Sequence, residues 1–600
     1  MSKPGTPGAD RLGRLMPFVS NEALLILLAL MAVFRAVLLD RRLQPLAACD
    51  GCVALLTFKH DAAVLGTVLL ASALTHWIRA AWVRALLRAF LCLVVAAYGL
   101  DLLIIVLYNM RLVVADFFKY GREVGGIVTI TGQMLRTAAG IVTLVVGVAL
   151  LGLMAVFIRA GPRLGRTGTR RALAAGLVLF VVGLLPSPRA VGQTWAYLNL
   201  FEVNLDRGAA SSYGDDFAAS LRASHEDLRA GTGCSVRPAR RPDVLMVVVE
   251  GLSSYQSRFF SGLQGITPNL DRIAARHTAF TRFHANGYTT EGGLISILGG
   301  QVPLPPTGPV VFGGGFVYNG FFDLPASLPR LFGDHGYRTA FLTTGDLAFG
   351  GKGGWLDTLG FNEVAGHDDP FYDGWPRMHF RAAPDSALYL RALRWLDARP
   401  ADTPFFLVVE TVSSHHPFIE PTTRRKSESA AFRYADRQLG HFYDALDRRG
   451  RLDSLMLVIV SDHRTMTPLR SDEMGRFGEE AHALVPLVIA DPARPGPRRI
   501  EEHFQQVDLA TSFAAMLTGR SCPTAIRGDL LADPPAPPRC TLHARADDRA
   551  RVDITCGGDR ATIRLHGDAT SLESGAVPDA TSIVRQIDLE RIERQAARRR

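Results

Sequence analysis

Pro242-Asp-Val-Leu-Met-Val-Val-Val-Glu250 and, far downstream, Leu455-Met-Leu-Val-Ile-Val-Ser-Asp462-His463 decide how this chain folds. Each is a run of β-branched and aliphatic residues that stops abruptly at metal-ligand side chains. Such runs read as strands of a parallel sheet buried on both faces. In open α/β sheets, ligands bind beyond the carboxyl ends of the strands. Two strands that end in carboxylate or imidazole therefore point to a divalent metal site. Between them, Asn286-Gly-Tyr-Thr289-Thr290-Glu-Gly-Gly places hydroxyls on a turn that runs into an apolar helix. A metal beside an activated hydroxyl implies phosphoryl or sulfuryl ester chemistry.

Around these strands the chain divides by composition. Of 600 residues, 48% are hydrophobic and 20% charged, and the mean hydropathy is +0.14. That is too apolar for an ordinary soluble enzyme and too charged for a pure membrane channel. The first two hundred residues hold most of the apolar runs, in five segments: Asn21–Leu39, Ala62–Ile78, Ala85–Leu107, Gly140–Ile158 and Ala172–Leu185. Crossing a bilayer takes about 20 residues, so the fifth is short. Arg35 and Asp101 are charges within otherwise apolar spans, either buried functional groups or snorkelling side chains.

Arginine and lysine placement orients the spans. Lys3, Arg11 and Arg14, then Arg79, Arg84 and Arg88, then Arg159, Arg163, Arg166, Arg170 and Arg171 fall on one side, which the positive-inside rule makes cytoplasmic. Five spans then place the large C-terminal part outside the cytoplasm, in a multi-pass protein of the cell (inner) membrane. No A-x-A cleavage signal follows the first segment, so it reads as a retained anchor. Cys49-Asp-Gly-Cys52 in the first outer loop, and Cys522, Cys540 and Cys556, fit disulfides in an oxidising compartment. The net charge of +9 is modest for this length, and much of it lies in the cytoplasmic loops and the basic tail. Nucleic acid is thereby excluded as a partner, and an anionic membrane surface explains the charge.

Four regions follow: a membrane part over 1–187, a polar juxtamembrane connector over 188–240 with an amphipathic helix at Asp216–Arg229, an α/β domain over 241–533, and a small β-rich segment with a basic tail over 534–600. In the α/β domain, Val244–Val249, Thr339–Thr343, Phe405–Val409, Leu455–Val460 and Leu484–Ile489 alternate with helical patterns, which predicts a mainly parallel sheet.

Glu250, Asp462 and His463 offer two carboxylates and an imidazole, a set suited to Mn2+ or Zn2+. Thr289 and Thr290 precede a helix-like run, where a hydroxyl is either a helix cap or a nucleophile at an anion-favouring terminus. His415 and His416 follow another strand.

In order, Glu250, Thr267-Pro-Asn-Leu-Asp-Arg-Ile-Ala274, Gly287-Tyr-Thr-Thr-Glu291, Ser414-His-His-Pro-Phe418 and Ser461-Asp-His463 resemble the alkaline phosphatase/sulfatase superfamily. With an apolar N-terminal part, the chain is similar to lipoteichoic acid synthases and the phosphoglycerol transferases of periplasmic glucans. The resemblance implies a bundle of about five transmembrane helices followed by a sulfatase-like α/β domain. It implies one divalent metal, Mn2+ ahead of Zn2+ or Mg2+, on Glu250, Thr289, Asp462 and His463. Thr289 is selected as nucleophile because the family's threonine precedes a small or polar residue and then an acidic one. His415 becomes the group that binds the phosphate or protonates the leaving group, with His416 beside the substrate. The C/S-x-P-x-R motif of sulfatases proper is missing.

Two departures stand out. Arg464 replaces the glycine that usually follows Ser-Asp-His, and it is a candidate phosphate grip. Lys352 and Trp355 stand where the family carries an aromatic–x–Arg clamp, and Lys lacks the bidentate fork of Arg. The implied reaction moves phosphoglycerol from phosphatidylglycerol to an extracytoplasmic glycan through a phospho-threonine. The alternatives are phosphoethanolamine transfer to lipid A or another glycan, a membrane-tethered phosphodiesterase, and a degenerate envelope scaffold.

Overall fold

A computed structural model describes residues 21–43, 51–75, 77–108, 111–113, 166–185, 197–205, 212–224, 233–305, 321, 324, 326–400, 402–467, 469–545 and 550–598. The chain forms two units, Met1–Val114 with Ile127–Leu205, and Ala115–Gly126 with Asp206–Arg600.

In the first unit, helices α1 (Asn21–Leu43), α2 (Cys52–Leu74), α3 (Ala81–Tyr108) and α4 (Arg166–Leu184) cover four of the five apolar segments. The fourth segment, Gly140–Ile158, lies outside the described residues. Among the described residues, two stretches, Cys52–Leu74 and Trp82–Val106, are long and apolar enough to cross a membrane by length and composition. Helix α2 starts at Cys52 rather than Ala62 because the charges that mask its first turns in the sequence are paired. Asp61 takes Arg35 at 2.5 Å and the Tyr98 hydroxyl at 2.7 Å, and His60 faces Glu202 at 2.9 Å. Asp101 is likewise paired with Arg111, at 2.9 Å. Arg35 and Asp101 are 1% and 0% exposed, so neither snorkels. Small residues let α2 and α4 approach closely: a Cβ on Gly66 would meet Phe180 N at 2.5 Å.

The second unit is built on an eight-stranded sheet. Its strands are β1 (Asp243–Val249), β2 (Thr278–His284), β3 (Arg338–Thr343), β4 (Glu363–Ala365), β5 (Phe405–Glu410), β6 (Leu455–Ser461), β7 (Leu484–Ala490) and β8 (Arg498–Gln505). The spatial order is β4-β3-β5-β1-β6-β7-β2-β8. Strand β7 runs antiparallel to both neighbours, and the other pairings are parallel. Alternate residues of β1 feed opposite cores: Val244, Met246 and Val248 one, Leu245, Val247 and Val249 the other. Each such side chain contributes roughly 1.5–3 kcal/mol of burial, which is why β1 is apolar at every position instead of alternating. Strands β2 and β8 escape the hydrophobic pattern because Arg282, Arg498, Glu501 and Glu502 interrupt it on exposed positions.

Strands β5, β1 and β6 are adjacent and parallel. Val248 pairs with Glu410 and Val249 with Ser461. The next residues, Glu250, Thr411 and Asp462, therefore emerge side by side at one edge of the sheet.

Downstream, β9 (Thr541–Ala544), β10 (Arg551–Cys556), β11 (Asp559–Arg564) and β12 (Ser571–Gly575) form an antiparallel sheet. Its apolar face packs with Val302, Leu304, Ile583 and Ile587, the last two from the C-terminal helix Ala580–Arg598. The connector helix Asp215–Ala223 buries Ala218 and Leu221 against Leu589 and Ile592 of that helix, so its apolar face is covered by protein rather than left for a membrane surface. Disulfides join Cys234 to Cys522 and Cys540 to Cys556. Cys52 is disulfide-bonded as well.

Candidate active site

Glu250, Asp462 and His463 meet at the ends of β1 and β6, each with a ligand atom within 4.8 Å of the others. His463 Nε2 lies 3.4 Å from Glu250 Oε1 and 3.4 Å from Asp462 Oδ2. All three are buried. Their second atoms are held from behind. Asp462 Oδ1 accepts the backbone N–H of Gly251 and of His463, both at 2.8 Å, while buried Oδ2 has no hydrogen-bond partner. His463 Nδ1 sits 2.7 Å from the Arg464 carbonyl. The proton therefore belongs on Nδ1, and the Nε2 lone pair faces the cluster. A buried carboxylate oxygen left without a donor and an imidazole with its lone pair turned inward are what a divalent cation requires. The donor set, oxygen-rich with one nitrogen, fits Mn2+ or Zn2+.

The electrostatics reflect that crowding. Burial alone would lower the His463 imidazole, but Asp462 and Glu250 reverse this and hold it up at about 9. Burial and the Glu250 charge push the Asp462 carboxyl well above the usual carboxylate range. Burial would also raise Glu250, yet His415, His463 and Lys352 outweigh it and keep its carboxyl low.

The two threonine hydroxyls make different contacts. Thr289 is the N-cap of the helix Thr290–Gly299, its hydroxyl accepting the Gly292 N–H. Thr290 Oγ1 instead lies 3.2 Å from Glu250 Oε2 and 3.3 Å from His463 Nε2. The hydroxyl within hydrogen-bond reach of the metal-ligand cluster is that of Thr290. The helix can approach this closely because a Cβ on Gly293 would collide with the Asp462 backbone.

His415 belongs to the same neighbourhood: its charge is the leading influence against burial on Glu250, and its Nδ1 is 2.5 Å from the His416 carbonyl. The His416 ring packs edge-on to Phe418 at 5.3 Å, so it is the peptide oxygen of His416 that serves His415. Lys352 reaches the strand ends but gives its ammonium to buried Glu410 at 2.7 and 2.8 Å. His379, which nothing in the sequence pattern marks, lies with its ring centroid 5.4 Å from that of His415, tilted by 38°. Burial and that neighbour pull its imidazole down to about 3. It is followed by Phe380 and Arg381 at φ 54° and 55°, left-handed backbone that non-glycine residues seldom adopt.

Residues 242–519 match the family model described as Sulfatase. This segment is similar to the Sulfatase family. Phosphoglycerol transferase I of Xanthomonas axonopodis pv. citri (strain 306) is 24% identical over 433 residues, 67% of this chain and 55% of the relative. The chain thus matches about half the length of that relative. Among solved structures, a protein in the alkaline phosphatase superfamily from Vibrio parahaemolyticus superposes with a TM-score of 0.51 at 17% identity, over 66% of this chain and 98% of that one. The lipoteichoic acid synthase LtaP from Listeria monocytogenes is similar at a TM-score of 0.47 and 18% identity, over 64% of this chain and 98% of that one.

Two expected substrate contacts are corrected. Trp355 is 0% exposed within the main core, its indole N–H donating to the Phe321 carbonyl. It packs; it does not clamp a headgroup. Arg464 is 1% exposed and gives a bidentate pair to Glu473 at 2.9 and 2.6 Å, with further bonds to the carbonyls of Thr465 and Thr467. Its guanidinium is consumed in bracing the turn after His463. Removing one partner of such a pair leaves a buried charge and costs about 3–5 kcal/mol. Glu473→Gln should accordingly lower the melting temperature of the detergent-solubilised chain by several degrees, and an unshifted melt would contradict this bracing role.

Asn286 is the residue that sequence reasoning passed over. It opens the turn that carries the threonines and is 0% exposed. Its amide donates to Gln505 Oε1 and to the Leu542 carbonyl, both at 2.7 Å, and its Oδ1 accepts the Val507 N–H at 3.0 Å. The C-terminal sheet thereby props the approach to Thr290.

Proposed function

We propose that this protein is a membrane-anchored, metal-dependent phosphotransferase that moves phosphoglycerol from phosphatidylglycerol to an extracytoplasmic glycan through a phospho-Thr290 ester. The observation that carries the reading is the Thr290 hydroxyl beside Glu250 and His463, at the ends of adjacent parallel strands. Similarity to a phosphoglycerol transferase supports the headgroup. Two disulfides in the sulfatase-bearing unit support an oxidising compartment, hence a catalytic domain outside the cytoplasm on an N-terminal bundle of five spans.

Glu250, Thr290, Asp462 and His463 would hold the ion, with Mn2+ favoured by three oxygens to one nitrogen. When bound, the ion supplies charge that attracts an anionic phosphate and lowers the pKa of the Thr290 hydroxyl. Thr290 Oγ1 bonds to phosphorus as the bond to the diacylglycerol oxygen breaks, and the threonine proton passes to water. His415 protonates the departing alkoxide. A glycan hydroxyl then attacks phosphorus as the bond to Thr290 Oγ1 breaks; the glycan proton goes to His415, and the Thr290 oxygen regains a proton from water.

The test is intact mass measurement of the detergent-solubilised chain after incubation with phosphatidylglycerol and Mn2+. A glycerophosphate adduct with diacylglycerol release is expected. An adduct formed from phosphatidylethanolamine instead replaces the headgroup. Diacylglycerol release without glycan product at any acceptor concentration makes the enzyme a phosphodiesterase. No adduct and no lipid turnover with either donor overturns the reading.

A further inference from the structure

A second cluster of ligand-type side chains lies apart from the residues described above. His284 ends β2, His503 lies on the neighbouring strand β8, and Glu480 comes from the 3-10 turn Gly478–His482. Glu480 Oε1 is 2.9 Å from His284 Nε2 and 3.3 Å from His503 Nδ1. Ligand atoms about 2.0–2.1 Å from a tetrahedral Zn2+ are about 3.3 Å from one another, so this spacing suits one small cation.

Hydrogen bonding does not account for these approaches. His284 is 2% exposed, yet its Nε2, Glu480 Oε1 and His503 Nδ1 are all buried without a hydrogen-bond partner. Their N–H directions miss the oxygen despite the short separations. Buried polar atoms in that condition are costly unless something lies between them. The far nitrogen of His284, Nδ1, is 3.2 Å from Thr541 Oγ1 of β9, the outer-shell contact that orients a metal-binding imidazole. A cavity of about 10 Å3 adjoins the cluster, lined among others by Glu479, His482, Thr541 and His543. It has room for roughly one water molecule, enough to complete a fourth position.

We propose that His284, Glu480 and His503 bind a Zn2+ ion, distinct from the ion at Glu250, Asp462 and His463. The set of two imidazoles and one carboxylate suits zinc. Because His284 is two residues before Asn286, this ion ties the chain that leads to Thr290 to both β8 and the C-terminal sheet. One contact must yield. Arg282 Nη1 is 2.9 Å from His503 Nε2, whereas ligation through Nδ1 requires Nε2 to keep its proton. Arg282 is exposed, and it turns to solvent when zinc binds.

That competition supplies the test. The full chain in detergent, carrying Glu250→Gln and Asp462→Asn to disable the first centre, is titrated with Zn2+ alone. Binding is followed by calorimetry, bound metal by mass spectrometry, and folding by thermal melts. One zinc per chain is expected, with a rise in melting temperature on binding. Adding His503→Gln should weaken binding by more than about tenfold, since even outer-shell losses reach that size. Adding Arg282→Ala should tighten it, because a competing donor and a positive charge are removed. If the parent binds no zinc, or if His503→Gln binds as tightly as the parent, the cluster is an ion-pair network only. Should His503→Gln fail to fold, Arg282→Ala decides, and unchanged or weakened affinity there overturns the proposal.

Discussion

Replacing Thr290 with alanine is expected to abolish the covalent adduct and to lower donor-lipid turnover at least a thousandfold, on the scale of removing an enzymatic nucleophile. Thr289→Ala should cost no more than about tenfold. The difference rests on one residue of helical phase. Successive positions of an α-helix are turned by about 100°, so one hydroxyl at the helix start can face the strand ends while its neighbour caps the helix. Thr289 does the latter, accepting the Gly292 N–H, and losing such a cap costs about 1 kcal/mol. Thr290 does the former, at 3.2 Å from Glu250 and 3.3 Å from His463. Intact mass and diacylglycerol release, measured on both variants and on Thr290→Ser, separate the two. Thr290→Ser should retain a weak adduct because it keeps the hydroxyl. Full activity in Thr290→Ala, or an adduct mapped to Thr289, would restore the assignment that the family resemblance implies.

That choice marks where the sequence stops being readable. The five strands anticipated from apolar runs are present, because a strand buried on both faces must be apolar throughout, as β1 is between its two cores. Glu250, Asp462 and His463 were legible for a related reason: each terminates such a run, and neighbouring parallel strands bring run ends together. Choosing between Thr289 and Thr290 depends on where a helix begins to within one residue, which local sequence leaves undetermined. Arg464 and Trp355 look like phosphate and headgroup ligands until their partners are known. Those partners, Glu473 and the Phe321 carbonyl, follow from tertiary contacts. The same holds for Arg35 and Asp61, separated by 26 residues, whose pairing lets α2 begin well before the apolar window. Asn286 carries no signal at all in an isolated sequence, since its importance lies in Gln505, Val507 and Leu542.

Asp462→Asn is expected to weaken binding of Mn2+ by at least about a hundredfold, and wild-type affinity should rise steeply with pH. Asp462 Oδ1 accepts two backbone N–H groups, from Gly251 and His463. An asparagine must therefore point its carbonyl oxygen at those amides, which turns its NH2 toward the place where Oδ2 faced the cation. A ligand is lost and a repulsive dipole is gained. The pH dependence follows from the same crowding. Without the ion, His463 is held up at about 9 against the lowering effect of burial, and Asp462 is pushed upward by burial and by Glu250. Near neutrality the cluster consequently carries protons that binding must expel. Acidification protonates His463 Nε2 and removes its lone pair, so affinity falls as pH falls and levels off only above the His463 value. Each displaced proton makes affinity change by about tenfold per pH unit in that range. Calorimetry of Mn2+ binding in buffers of different ionisation enthalpy should count at least one proton released per ion at neutral pH. Affinity that stays flat from weakly acidic to alkaline pH, with no proton release, would mean that the three residues do not act together as ligands. The structure predicts the opposite, because the His463 tautomer set by the Arg464 carbonyl leaves Nε2 as the one nitrogen that proton and metal can contest.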